Sequence, residues 1–274
     1  MSDRVQLTIE NGIADVRLNR PEKMNALDHA MFAALIETAA QLADDRSLRA
    51  VVLSGEGRCF CAGLDMSSFA SMAQNAPRAK SEKQPERNLL GRDGSSVATW
   101  AQRAALVWTE LPVPVIAALH GVTYGGGLQI ALGADIRFAT PDSRFSVMEI
   151  KWGLIPDMTG TQTLRHLVRL DIAKELTFTG RVVSGTEAGE IGLVTHVTET
   201  PREDALQLAH EIAGKSPCAI RAGKRLLQES RTIDPSPGLE LEAALQTSLI
   251  GGDNQKESVL SNLEKRPASF EDPE

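Results

Sequence analysis

The chain has 274 residues, a net charge of −7 and 42% hydrophobic residues. That length supports a large core in one domain or in a domain with an appendage, and the acidic balance argues against a polyanion-binding surface. No run approaches the roughly 18 uninterrupted apolar residues of a membrane span, which argues against a membrane partner.

The amino terminus, Met1-Ser2-Asp3-Arg4, carries no apolar segment, so a cytoplasmic location is expected. Cys59, Cys61 and Cys218 are odd in number and lack metal-ligand spacing; they read as free, small core residues, and no metal site is expected. Alternation in Val5-Gln6-Leu7-Thr8-Ile9 and Ile13-Ala14-Asp15-Val16-Arg17-Leu18, broken at Asn11-Gly12, predicts a hairpin that Pro21 ends. Asp28 is placed to cap a helix whose apolar positions Met31, Leu35, Ala39 and Leu42 recur at helical spacing. A buried strand over Ala50-Val51-Val52-Leu53 follows and stops at Gly55-Glu56-Gly57. Residues 67–96, rich in Ser, Ala, Lys, Arg, Gln and Gly, predict a helical, mobile flap with disorder around 79–94. After Pro112 and Pro114 the unit recurs as a strand over 115–119, a glycine turn, a helix over 127–133 and a strand over 136–140. Such repetition implies a largely parallel sheet covered by helices. Helices are expected over 161–169, 172–178, 186–191, 202–215, 218–230 and 239–249, with only 193–197 strand-like.

Two turns carry the chemistry. In Tyr124-Gly125-Gly126-Gly127-Leu128-Gln129, three glycines open a short apolar helix and offer bare backbone N–H groups at its positive end. An oxyanion site and a plain tight turn both accommodate the triplet alone. The second turn, Arg58-Cys59-Phe60-Cys61-Ala62-Gly63-Leu64-Asp65-Met66, also follows a strand. Neighbouring parallel strands deliver such turns to one sheet edge, the usual ligand side.

These residues resemble the crotonase family of enoyl-CoA hydratases and isomerases, in Phe60-Cys61-Ala62-Gly63-Leu64-Asp65, His120-Gly121-Val122-Thr123-Tyr124-Gly125-Gly126-Gly127 and Gly153-Leu154-Ile155-Pro156. Arg20-Pro21, Asn25-Ala26-Leu27, Thr179-Gly180-Arg181, Gly192-Leu193-Val194, Ser216-Pro217 and the tail Glu264 to Phe270 extend the likeness over essentially the whole chain. The resemblance implies an α/β fold, a spiral of repeated β-β-α units over 1–198 with an acyl-CoA site, and a helical region over 199–274 that mediates trimer formation or the pairing of trimers. It implies an acyl-CoA thioester substrate and no separate cofactor, coenzyme A being part of the substrate. It also implies that the N–H groups of Leu64 and Gly126 converge on the thioester oxygen and stabilise an enolate.

Three further positions choose the reaction. The family's hydratases carry one Glu two residues after the triplet, where this chain has Gln129; an amide orients water but cannot ionise. Gln129 is read either as such a group or as a helix residue satisfied by local hydrogen bonds. Glu149 matches the family's proton-transferring Glu, with a solvated or salt-bridged strand-end carboxylate as the plainer reading. Asp157 stands where the family's hydratases usually have Gly and its dienoyl-CoA isomerases have Asp. It is read as a second proton carrier or as the N-cap of a helix beginning near Met158. Those isomerases also have an acid where Gln129 stands, so the likeness to them is partial.

For coenzyme A, the resemblance points to backbone around Lys23, Met24, Ala62 and Leu64, with Lys23, Lys265 and Arg266 as candidate phosphate partners or ordinary surface cations. Tyr124, Gly125 and Trp152 are candidate pocket residues. The five histidines pair with no nucleophile or metal motif. Neither Gly-x-Gly-x-x-Gly nor Gly-x-Ser-x-Gly is present, and Gly214-Lys215-Ser216 completes no phosphate-binding loop, because Ala209 stands where Gly-x-x-x-x-Gly-Lys-Ser/Thr needs its first glycine. Double-bond isomerisation of an enoyl- or dienoyl-CoA is the expected reaction. Hydration of a 2-enoyl-CoA and non-catalytic acyl-CoA binding are the alternatives.

Overall fold

The computed structural model describes residues 3–66, 89–92 and 96–273. Strands β1 (Val5–Glu10) and β2 (Ile13–Leu18) form the expected hairpin, and helix α1 (His29–Ala43) follows. Asp28 caps α1, its carboxylate accepting from the Met31 N–H at 2.8 Å. Strands β3 (Ala50–Gly55), β4 (Val115–Leu119), β6 (Ile136–Ala139) and β9 (His196–Val197) extend the sheet in the order β1-β2-β3-β4-β6-β9, with every pairing after the hairpin parallel.

Strand alternation divides the core into two layers, because successive side chains leave a strand on opposite faces. Val51 and Leu53 of β3, with Val115 and Ala117 of β4, join one cluster with α1 and α2 (Trp100–Glu110). Ala50, Val52, Ile116 and Ala118 face the other way, onto Ala205 and Ala209 of helix α7 (Pro201–Ala213). The small alanines let α7 lie close against the sheet. A parallel sheet buried on both faces accounts for the near-continuous apolar runs of its strands.

A second, three-stranded sheet of β5 (Val122–Tyr124), β7 (Arg144–Ser146) and β8 (Val183–Ser184) was not anticipated. Strands of two or three residues are too short for periodicity to register. Between them lie α3 (Gly126–Leu132), α4 (Gly160–Leu167) and α5 (Leu170–Thr179), while α6 (Gly185–Glu190) follows β8. The strand expected over 193–197 reduces to β9, and the chain ends in α8 (Pro217–Glu229), α9 (Pro235–Leu249) and an unanticipated α10 (Asp253–Glu264). Lys224 fastens α8 to the core, donating to the Val113 carbonyl and to Asp135, each at 2.8 Å.

The expected flap over 67–96, and its disorder around 79–94, lie outside the described residues apart from 89–92 and 96. The carbonyls of Leu89 and Gly91 accept from the N–H groups of Ala101 and Trp100, which seats this short stretch on the start of α2. Among the described residues no helix is long and apolar enough to cross a membrane, and no group of three His, Cys, Asp or Glu could hold a metal ion.

Candidate active site

The turn after β3 is latched from behind. Asn25 is fully buried and takes a left-handed φ of 53°; its amide donates to the carbonyls of Glu56, Cys59 and Phe60 and accepts from the Arg20 N–H. So held, the turn lies alongside β5: the Cys61 N–H donates to Val122 at 3.1 Å, and the Tyr124 N–H donates to Cys61 at 3.0 Å. Gly63 has φ 90°, and a Cβ there would meet the Tyr124 carbonyl oxygen at 2.8 Å and the Gly126 nitrogen at 3.8 Å. The two turns are therefore in contact, as their placement at one sheet edge requires.

This contact leaves two donors free. Leu27 donates to the Gly63 carbonyl and accepts from the Asp65 N–H, so Leu64, between them, turns its N–H the other way. Gly126 is the first residue of α3, where a helix leaves its N–H without an internal partner. Among the described residues neither N–H makes a hydrogen bond, and both residues line one cavity of about 700 Å³. A cavity of this size accommodates a small-molecule ligand. Leu27, Phe32, Leu89, Leu90 and Met158 supply apolar wall, while Glu149, Asp157, Lys23 and Lys151 line it as charged groups.

Glu149 opens a 3₁₀ turn (Glu149–Trp152) just past β7 and is buried. Its Oε1 accepts from Gln129 Nε2 at 2.7 Å; its Oε2 is buried with no partner among the described residues. Burial pushes the Glu149 carboxyl above the usual carboxylate range, partly opposed by its own backbone N–H and then by the Gln129 hydrogen bond, and reinforced by the charge of Asp157. Asp157 keeps open surface yet is also pushed up by the desolvation that surrounding protein imposes. It caps nothing: α4 begins at Gly160, its N-cap is Thr159, and no side chain caps it. The helix starts two residues after Met158, where a cap at Asp157 would have begun it, because the amides on either side of Thr159 are drawn to Gln129, which turns Thr159 left-handed at φ 71°.

Gln129 is buried, does not line the cavity, and makes contacts more distant than a locally satisfied helix residue would. Its Oε1 accepts from the Met158 N–H at 2.8 Å and the Gly160 N–H at 2.9 Å. Lys23, Met24, Ala62, Gly125, Tyr124 and Trp152 all line the cavity, and Lys151 Nζ lies 5.5 Å from the Trp152 ring centroid. Lys265 ends α10 and Arg266 pairs with Glu257; within one chain neither reaches the cavity. Cys61 packs beneath the glycine turn, and burial pushes its thiol up to about 12, so it stays protonated at neutral pH. His29 stacks on Trp100 and His120 bonds to the Gly57 carbonyl, both structural uses. Sequence reasoning missed Phe32 and Lys151: the first looked like any apolar position of α1, and the second stood unnoticed two residues after Glu149.

A family model described as enoyl-CoA hydratase/isomerase matches residues 8–273. The chain is 32% identical to mouse mitochondrial methylglutaconyl-CoA hydratase over 94% of this chain and 79% of that one. It is 29% identical to the peroxisomal Delta(3,5)-Delta(2,4)-dienoyl-CoA isomerase of Arabidopsis thaliana over 97% of this chain and 95% of that one. The crystal structure of a putative enoyl-CoA hydratase from Streptomyces coelicolor A3(2) superposes with a TM-score of 0.86 at 32% identity, covering 99% of this chain and 95% of the other.

Proposed function

The chain belongs to the enoyl-CoA hydratase/isomerase family, and from that premise we propose that it moves a double bond along the acyl chain of an enoyl- or dienoyl-CoA. The observation that carries this reading is the distribution of acids: Glu149 and Asp157 line the cavity that holds the Leu64 and Gly126 donors, while α3 contributes an amide.

The thioester oxygen sits between the two N–H groups. Glu149 takes a proton from the α-carbon; the C–H electron pair forms a double bond between that carbon and the thioester carbon, and the carbonyl π pair collects as negative charge on the thioester oxygen. The charge then returns along the conjugated chain as a farther carbon is reprotonated, by Glu149 or by Asp157. The family's hydratases place a second Glu at position 129 to activate the water. Here Gln129 has its oxygen committed to two backbone donors and one N–H committed to Glu149, so position 129 supplies no acid or base.

We assign Lys23, Met24 and Ala62, which line the cavity, to the coenzyme A portion, and Tyr124, Gly125 and Trp152 to the acyl end. The chain associates with further copies through its last helices: α9 buries no residue within the chain, and Leu239 and Leu263 are 65% and 75% exposed. Burying such leucines against another copy would remove apolar surface from water. A homotrimer, or a pair of trimers, is the assembly proposed.

Hydration is the second reading, favoured by the 32% identity to a methylglutaconyl-CoA hydratase. Parallel assays with crotonyl-CoA, a 3-enoyl-CoA and a 3,5-dienoyl-CoA test the choice. Double-bond migration should exceed hydration. Equal or faster hydration of crotonyl-CoA sinks the isomerase reading, and tight binding without turnover of any of the three makes the protein an acyl-CoA binder.

A further inference from the structure

Gln129 joins the two acidic positions of the site, and its amide has only one possible orientation. The Met158 and Gly160 N–H groups are donors at any pH, and both lie within 2.9 Å of the same side-chain atom, so that atom is the oxygen. Nε2 must then face Glu149, which it reaches at 2.7 Å. An N–H aimed at Oε1 is compatible with a bare oxygen there and opposes a proton on it. Oε2 makes no hydrogen bond among the described residues.

Resting on the isomerase reading above, we infer that Gln129 is a positioning residue that confines the transferred proton to Oε2 of Glu149 while holding the segment that carries Asp157. The second half follows from the same oxygen. It gathers the two amides on either side of Thr159, and a β-branched residue at φ 71° persists only where its surroundings over-determine it. Residue 160 is constrained with it, since a Cβ on Gly160 would stand 2.7 Å from the Gln129 oxygen. An acid at 129 would do different chemistry. It would set two carboxyls at hydrogen-bond distance, where one must keep a proton, and would free Oε1 of Glu149 to share it.

Infrared difference titration of the full-length protein without substrate tests this. The Glu149 carboxyl band is assigned by its disappearance in Glu149→Gln. With the proton on Oε2, the carbonyl is C–Oε1 and accepts from Gln129, so Gln129→Met removes that donor and moves the protonated-carboxyl band to higher frequency. A band unmoved by Gln129→Met puts the proton on Oε1 and overturns the inference. Gln129→Glu, which keeps the shape of the side chain, should raise the Glu149 titration midpoint by about one pH unit or more. An unchanged midpoint also overturns it. The readout needs no turnover: a shifted band without double-bond migration leaves the inference standing and removes the reaction, whereas migration with an unmoved band does the reverse.

Discussion

Gly63 and Tyr124 touch so closely that a Cβ on the former would come within 2.8 Å of the carbonyl oxygen of the latter. That contact sets the spacing of the two turns, and hence of the two N–H donors. Gly63→Ala adds the Cβ at φ 90°, where an L side chain is strained in any case. The variant should fold with a lowered melting temperature and lose about two to three powers of ten in kcat, the scale of one displaced oxyanion donor. Wild-type kcat in a folded Gly63→Ala protein would show that the spacing does not matter.

Glu149→Gln should abolish double-bond migration and raise the melting temperature at neutral pH. The folded chain holds the Glu149 proton more tightly than the unfolded chain does, because burial disfavours the charged form. The stabilising contribution of this group is therefore complete below the unfolded carboxyl range and is lost as pH rises through the raised value. The amide removes that loss, so the gain should appear at neutral pH and vanish in acid. Differential scanning calorimetry at the two pH values decides it.

The rate of isomerisation should rise with pH through an ionisation above the ordinary carboxylate range, since the base must be charged to accept a proton. Asp157→Asn removes a like charge that raises the Glu149 pKa, so the acid limb of kcat/KM should move to lower pH. An acid limb that stays in place would mean that the two carboxyls do not sense each other.

Asp157→Asn also separates catalysis from capping. The residue is exposed and caps no helix, so its loss should change stability by less than about 0.5 kcal/mol. Migration of the 3,5-dienoyl substrate should fall more than that of the 3-enoyl substrate, because the farther carbon has greater need of a second proton carrier. A large drop in melting temperature with unchanged rates would return Asp157 to a structural role.

Asn25→Ala strips the partner from three carbonyls, those of Glu56, Cys59 and Phe60. Leaving such groups unsatisfied costs about 1–3 kcal/mol apiece before water or relaxation intervenes, so a loss of roughly 3 kcal/mol in urea denaturation is expected. An unchanged transition midpoint would mean that the turn holds its shape without Asn25.

Much of this architecture was legible locally. The alternation in Ile13 to Leu18 and in Ala50 to Leu53 announced the sheet, and Asp28 announced the start of α1, because each signal lies within a few residues of its effect. Strands β5, β7 and β8 escaped notice, being too short for a period to repeat and held by partners distant in sequence. Asp157 precedes a helical pattern and so offers itself as a cap, yet α4 starts three residues after it, at Gly160, under the pull of Gln129.

The sequence by itself determined which groups are available: two glycine turns after two strands, one amide at 129 and carboxyls at 149 and 157. Tertiary structure decided their uses. Gln129 bonds to residues 20 and 31 positions away, and only the packing of α3 against the turn after β7 and the segment before α4 sets those distances. Side-chain identity states what a group can donate or accept; which partner receives it depends on contacts between segments that carry no local trace of one another.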